Sequence, residues 1–200
     1  EKLNIARQFA ENHSEYMVNV QALERVQPKD LDASEIEARL GATWISPDYI
    51  TEFMAEIFHT PRQHINYERI KVQYAEVTGQ WNVKGKNVDS SNNPLSTATY
   101  GTQRANAYRL LEDALNLRDT KIYDTIHDAD GEHRVLNRKE TTLAQQKQEL
   151  IREEFKEWIF KDMSRRETLC KIYNERFNSV RPREYDGSHI QFVGMNPEIK

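Results

Sequence analysis

The sequence predicts an α+β fold that is mostly helical, with a small antiparallel sheet from two hairpins and a long C-terminal helical pair. Apolar residues recur at spacings of three, four and seven between residues 143 and 159, which is typical of one face of a helix. Two other stretches alternate apolar and polar residues around short turns, as hairpins do. Helices and antiparallel hairpins in separate parts of a chain favour the α+β class.

The first sixty residues are predicted to be helical. Ile5 and Phe9 mark one short helix, and the run from Tyr16 to Leu23 marks a second, with a break near His13. Asp32 and Glu35 form a capping signal for a helix that ends at Gly41, since glycine readily takes the left-handed conformation found after helices. Ser46 and Pro47 then begin a helix whose predicted buried face is Ile50, Phe53, Met54 and Ile57, and which ends by Pro61.

The helical period is lost after His64. Residues 70–77 alternate, Thr78 and Gly79 can turn, and QWNV follows, so a β-hairpin is predicted. Residues 84–99 are polar and turn-rich, which predicts an exposed and mobile loop. Apolar residues at 105, 110, 111 and 115 mark a helix, and KIYDTIHDADGEHRVLN is typical of a second hairpin that turns at Ala-Asp-Gly.

A long amphipathic helix is predicted from about Thr142 onwards. Thr142 with Gln145 matches a capping box at its start, and Asp162, or Ser164 paired with Glu167, can cap a second helix. The spacing also places Leu143 on the apolar face, and the side chains expected to be largely buried are Leu150, Ile151, Phe155, Trp158, Ile159, Leu169, Ile172 and Phe177.

Composition limits the kind of protein. The 200 residues are 38% apolar, which is enough for one substantial core, so we expect a single fragment in three parts: acidic helices (1–60), hairpins with one helix (61–140), and long helices with a tail (141–200). The chain begins without Met, and we expect it to be a piece of a longer protein. The lone Cys170 excludes an internal disulfide framework. No apolar run reaches the roughly 20 residues of a membrane span, so a cytoplasmic location is expected.

Charge is unevenly distributed along the chain. Residues 1–60 carry 5 Lys/Arg against 11 Asp/Glu, residues 61–160 carry 15 of each, and residues 161–183 carry 7 basic against 3 acidic side chains. The net charge of −4 is not that of a dedicated nucleic-acid-binding domain, and only the last of these segments has a local basic excess.

Motifs for catalysis and metal binding are incomplete. Asn93-Pro94 lacks the second proline and the aromatic residue of an Asn-Pro-Pro-aromatic loop, so an ordinary Asn-Pro turn is predicted. Donors at 127, 128, 130, 132 and 133 fail the calcium-loop register and fit a polar hairpin tip. Gly85-Lys86 lacks the remaining residues of a phosphate loop, and no nucleophile elbow surrounds a serine. We therefore predict no catalytic residue and no metal ligand.

The remaining candidates are cations near the C-terminus. Five arginines form a predicted nucleic-acid-binding surface, because guanidinium groups bind two phosphate oxygens at once: Arg165, Arg166, Arg176, Arg181 and Arg183. The alternative is structural: Arg165 and Arg166 can pair with Glu153, Glu154 or Glu157, and Arg176 can cover apolar surface with its stem.

A family resemblance adds context to these residues. The run FKEWIFKDMSRRETLCKIYNERFNSVRPREYDGSHIQFVGMNPEI resembles the segment before the ATPase core in large proteins of bacterial conjugative elements and phages. Those proteins join an adenine-specific DNA methyltransferase to a Swi/Snf-type helicase. VQPKDL, LGATWI, YGTQRANAYRLLEDALNLRD and RVLNRKET also resemble the region between the two enzymes.

The resemblance implies a connector without catalytic motifs of its own. Its expected work is to position and contact DNA beside the adjoining helicase and methyltransferase domains, which are its implied partners. The parent protein would use ATP with Mg²⁺ and S-adenosylmethionine, whereas this fragment would bind no cofactor and turn over neither ATP nor a methyl donor. The alternative function is a protein-interaction scaffold in which the acidic first 60 residues and the 84–99 loop dock a partner.

Overall fold

The computed structural model describes residues 2–88, 93–128 and 131–179. The chain forms two compact units, one from residues 1–31 with 174–200 and the other from residues 32–173. Helices dominate and two small antiparallel sheets accompany them, which confirms the predicted α+β class. Within the described residues, no helix combines the length and the apolar content needed to cross a membrane.

The first unit contains the two predicted short helices. They are α1 (Lys2–Asn12) and α2 (Met17–Arg25), joined by a 3₁₀ turn at Ser14–Tyr16. An ion pair of 2.8 Å between Arg7 and Glu24 links the helices. In the same unit, the Asn174 side chain accepts from the Leu31 N–H (2.8 Å) and donates to the Leu31 carbonyl (2.9 Å). It thus satisfies both backbone groups of Leu31, as a neighbouring strand would.

The prediction of a helix between Asp32 and Gly41 is wrong. The Asp32 carboxylate accepts from the Ser34 N–H (2.8 Å) and the Glu35 carboxylate accepts from the Asp32 N–H (3.1 Å), but only a turn follows. Side chains at 36, 38 and 40 are buried and those between them are exposed. This period of two is typical of an extended chain, so the segment is not helical despite its capping residues. Gly41 does adopt a positive φ of 88°.

The next helix and hairpin agree with the sequence. Helix α3 (Pro47–Ile57) begins at Ser46, whose hydroxyl accepts from the Asp48 N–H (3.3 Å), and Phe53 on its buried face is fully enclosed. A short helix that the sequence analysis missed, α4 (Arg62–Asn66), follows Pro61. Strands β1 (Lys71–Ala75) and β2 (Gln80–Lys84) then pair as an antiparallel hairpin with Val72 opposite Val83.

The segment 84–99 is not exposed throughout. Asn93 is 8% exposed. Ser96 is fully buried and lies in a single π-helical turn at Leu95–Thr99. The Asn93 side chain accepts from the N–H of Leu95 (3.0 Å) and donates to the Phe58 carbonyl (2.7 Å). The predicted Asn-Pro turn is therefore present, and its asparagine anchors the segment to the core because the buried amide is fully bonded.

Helix α5 (Ala107–Leu115) and a second hairpin follow. Asn106 caps α5 by accepting from the Arg109 N–H (3.0 Å). Strands β3 (Tyr123–Asp128) and β4 (Gly131–Leu136) are antiparallel, with Tyr123 opposite Leu136, which confirms the second predicted hairpin. Every residue of β4 is exposed, so this hairpin stands out from the core on both faces.

Helix α6 (Arg138–Ile159) begins one turn before the predicted capping box. Asn137 is its N-cap and accepts from the Glu140 N–H (3.0 Å), whereas the Thr142 hydroxyl donates to the Arg138 carbonyl inside the helix (3.0 Å). A buried stripe runs the length of α6 and consists of Thr141, Ala144, Gln148, Ile151, Phe155, Trp158 and Ile159. Leu143 and Leu150 flank the stripe at 40% and 38% exposure, so the predicted burial of Leu150 is wrong.

Helix α7 (Met163–Phe177) begins after Asp162, whose side chain accepts from the Arg165 N–H (2.8 Å), one of the two predicted caps. Leu169 is buried as predicted, Ile172 is partly buried, and Phe177 is 56% exposed, contrary to prediction. In the unit of residues 32–173 the aromatic core centres on Phe53. The centre of its ring lies 5.2 Å from that of Phe155 and 5.4 Å from that of Trp158.

Candidate nucleic-acid interface

Arg165 lies inside the core rather than on the predicted surface. Its side chain is 8% exposed, its Nε donates to the Ile159 carbonyl (3.0 Å), and its Nη2 donates to the Trp158 carbonyl (2.8 Å). The guanidinium carbon stands 3.6 Å from the centre of the Trp158 ring, a close cation–π contact. These bonds cap the end of α6, so Arg165 is a structural residue and does not belong to a phosphate-binding surface.

The other predicted arginines are distributed differently. Arg166 is exposed, and its Nε donates to the Phe160 carbonyl (2.7 Å), which leaves part of its guanidinium accessible. Arg176 is exposed in the last turn of α7 and belongs to the other unit. Arg181 and Arg183 lie outside the described residues. Of the three predicted arginines that the structure describes, Arg165 is therefore removed from the surface, whereas Arg166 and Arg176 are exposed.

The structure instead places other cations around a polar groove in the unit of residues 32–173. The groove has a volume of about 530 Å³ and lies where the loop after β2 meets the start of α5. A smaller cavity of about 90 Å³ adjoins it at the base of the β3–β4 hairpin, sharing Arg104 and Arg109. We call the two together the cationic groove; its basic lining residues are Lys86, Arg104, Arg109, Lys121 and Arg134.

Arg104 connects the two halves of the cationic groove. Its Nη1 donates to the Asp124 carboxylate (2.8 Å) and its Nη2 donates to the Tyr123 carbonyl (2.9 Å). Hydrogen bonds from Arg104 and then from Asn137 (2.7 Å) lower the pKa of Asp124 below its usual value. Arg104 therefore serves to hold the hairpin against the groove, and its charge is largely compensated.

The carboxylates in the groove wall also have partners. Glu112 accepts from the Val83 N–H (2.7 Å) and from the Lys86 ammonium group (2.6 Å), which joins α5 to β2. Asp113 accepts from the Thr120 hydroxyl (2.8 Å). Since these bonds orient both carboxylates towards the fold, the charge that remains accessible in the groove is positive.

Three cations carry that accessible charge. Arg109, Lys121 and Arg134 are exposed, and within the described ranges none of them has a carboxylate within ion-pair distance. The Arg134 guanidinium carbon lies 5.1 Å from the centre of the Tyr123 ring. Unpaired guanidinium and ammonium groups beside an accessible aromatic ring form a surface suited to phosphate esters and bases.

Local sequence explains how these residues come together. Gly85 has a φ of 74°, and a Cβ atom there would collide with the Arg69 carbonyl, so glycine allows the loop after β2 to turn tightly towards α5. The Asn106 side chain, besides capping α5, donates to the Lys86 carbonyl (2.7 Å). The Gly85 turn and the Asn106 hydrogen bonds therefore bring Lys86 and Arg109 to the same groove.

A model of a protein family, described as a domain of unknown function (DUF8437), matches residues 39–179. The chain belongs to the DUF8437 family. The match includes every basic residue of the cationic groove as well as α3 to α7. Neither a curated protein nor a solved structure matches this DUF8437 chain. Among its described residues, no three His, Cys, Asp or Glu side chains are grouped closely enough to hold a metal ion.

Sequence reasoning missed the cationic groove in this DUF8437 chain. Its basic residues are separated by up to 48 positions and lie in the 61–160 region, where acidic and basic residues are equal in number. No linear excess of charge marks them. Only the tertiary packing, in which α5 contacts both β2 and α6, brings them together, and that packing is not encoded in any short motif.

Proposed function

We propose that this chain is a non-catalytic connector domain of a larger cytoplasmic DNA-processing polypeptide, where it positions nucleic acid for neighbouring enzymatic domains. The observation that supports nucleic-acid contact is the cationic groove, in which Arg109, Lys121 and Arg134 are accessible and unpaired among the described residues. Phosphate contacts fix the register of a protein on nucleic acid without reading sequence, which is the task of a positioning domain.

The identity of the neighbouring domains in this proposal comes from the resemblance of the C-terminal run to proteins that join a DNA methyltransferase to a Swi/Snf-type helicase. The groove replaces the predicted arginine surface as the main contact, because Arg165 is buried. Arg166 and Arg176, which are exposed on α7, are the alternative contact to the groove. The proposal assigns no bond-making step and no cofactor to the fragment.

The groove predicts a specific dependence of DNA binding on salt. The triple variant Arg109→Ala, Lys121→Ala, Arg134→Ala is expected to weaken binding of a labelled duplex or single strand and to flatten the plot of log affinity against log salt. Each lost phosphate contact reduces the slope by roughly 0.9 for a duplex and roughly 0.7 for a single strand. Fluorescence anisotropy titrations at several salt concentrations measure both the affinity and its dependence on salt.

A second triple variant of equal charge serves as the control. Lys161→Ala, Arg166→Ala, Lys171→Ala removes three exposed cations outside the groove. We expect its salt slope to stay closer to that of the native chain. A native chain that does not bind at low salt, or a groove variant with an unchanged slope, would refute the proposal. A larger effect in the control would indicate that the exposed cations on and just before α7 are the main contact.

A second function is supported by the β3–β4 hairpin. Ile126 and Val135 are each 47% exposed, and the pairing of Asp124 with Val135 and of Ile126 with His133 places them on the same face. Isolated two-stranded hairpins have marginal stability in water, so an exposed one gains from a partner surface. This favours a protein-interaction scaffold, and retained folding without nucleic-acid binding would make it the leading function.

A further inference from the structure

We propose that the cationic groove takes single-stranded nucleic acid, with one base stacked on Tyr123 and the adjoining phosphates on Arg109, Lys121 and Arg134. This inference rests on the proposed function and names the form of nucleic acid that the groove selects. Its starting point is that an aromatic ring, accessible to solvent, lies in the same cavity as the unpaired cations.

The Tyr123 ring is positioned as a stacking platform. It is 38% exposed although Tyr123 directly follows the buried Ile122. Thr125 pairs with Arg134, and Tyr123 pairs with Leu136, so Tyr123 and Arg134 are diagonal neighbours on one face of the hairpin. The guanidinium of Arg134 lies over the face of the Tyr123 ring, where a planar cationic or aromatic group binds favourably.

The backbone that carries Tyr123 is held firmly. Its carbonyl accepts from Arg104 (2.9 Å), and the adjacent Ile122 bonds through its N–H to the Thr141 hydroxyl (3.0 Å) and through its carbonyl to the Asn137 N–H (2.9 Å). Ile122 itself is 3% exposed. The platform is therefore anchored to the first turn of α6, so a ligand would not have to order it.

Single strands suit this arrangement better than duplexes. In a duplex the faces of the bases are stacked on one another, whereas a single strand can place a base against an aromatic side chain. The Arg134 side chain is exposed, so its guanidinium has room to move from the ring to the phosphate next to a stacked base.

The test compares an end-labelled oligothymidylate with an oligomer of equal length that has abasic sites in place of the bases. The native 200-residue chain is expected to bind the thymidylate at least about five-fold more tightly, the lower limit for stacking one base on an aromatic side chain. Tyr123→Leu should remove this difference while the affinity for the abasic oligomer stays the same. Tyr123→Phe should retain it, because stacking needs the ring and not the hydroxyl.

Tyr67→Leu is the matched control, since Tyr67 is 75% exposed and does not line the groove. It should retain the difference between the two oligomers. Equal binding of both oligomers by the native chain, a difference that persists in Tyr123→Leu, or tighter binding of an equal-length duplex would each overturn the stacking inference and leave phosphate binding intact. Absence of binding to all three nucleic acids would refute the proposed function itself.

Discussion

Replacement of Trp158 by alanine is expected to lower the free energy of unfolding by about 3–5 kcal/mol. The indole is 4% exposed, contacts the Phe53 ring at 5.4 Å, and donates its N–H to the Glu56 carboxylate. Its removal opens a cavity in the aromatic core. It also leaves the buried Arg165 guanidinium without the ring that it covers at 3.6 Å, although the two carbonyls that accept from Arg165 remain.

Equilibrium denaturation in urea, followed by circular dichroism, measures the Trp158 effect as a change in midpoint and slope. Leu143→Ala is the control on the same helix, since Leu143 is 40% exposed and its truncation leaves no enclosed cavity. We expect that change to cost less than about 1 kcal/mol, nearer to the range for surface positions. A Trp158 variant no less stable than the Leu143 variant would contradict the described core.

The sequence predicted the elements whose signals are local. The Ser46-Pro47 start of α3, the two hairpins and the Asp162 cap each depend on residues within a few positions, and each occurs in the structure. The same approach failed between Asp32 and Gly41 because a capping signal states only where a helix can begin. The alternating burial of residues 36, 38 and 40 is produced by tertiary packing, which overrides that local preference.

Burial on α6 illustrates a second limit of sequence periodicity. The spacing of Leu143 and Leu150 predicts that both lie on the apolar face, but the buried stripe passes through Thr141, Ala144 and Gln148 instead. Only the hydrogen-bond partners of Thr141 and Gln148 explain why polar side chains occupy the core here. Those partners lie 19 to 38 positions away, so the hydrophobic pattern of the helix alone could not locate its face.

The candidate site was harder to predict than the fold. The basic excess in residues 161–183 predicts a nucleic-acid-binding surface there, yet Arg165 from that run caps the end of α6. Charge counted along the chain does not distinguish a structural guanidinium from an accessible one. In the cationic groove the accessible cations are the ones that the sequence does not mark. Arg109 and Lys121 lie in no local excess of basic residues, and only the folded chain brings them to one cavity.

Replacement of Gln148 by methionine is expected to lower the free energy of unfolding by about 2–4 kcal/mol, because each unsatisfied buried polar group costs about 1–3 kcal/mol. Gln148 is fully buried; its carbonyl accepts from the Thr120 N–H (3.2 Å) and its amide donates to the Arg118 carbonyl (2.7 Å). Methionine fills a similar volume but leaves both backbone groups without these bonds. The decrease in the free energy of unfolding therefore reports the lost hydrogen bonds rather than a cavity.

The effect of the Gln148 change should concentrate in residues 118–122, which carry Lys121 into the cationic groove. Faster amide hydrogen exchange at Thr120 should accompany the lower stability, since the only side chain bonded to its N–H in the described structure is removed. Gln146→Met is the control, because Gln146 is exposed on the same helix, and it should change stability by no more than about 0.5 kcal/mol. If the Gln148 variant matched this control in both stability and exchange, the backbone between α5 and β3 would be held by contacts other than this glutamine, and the groove would not depend on α6 for its shape.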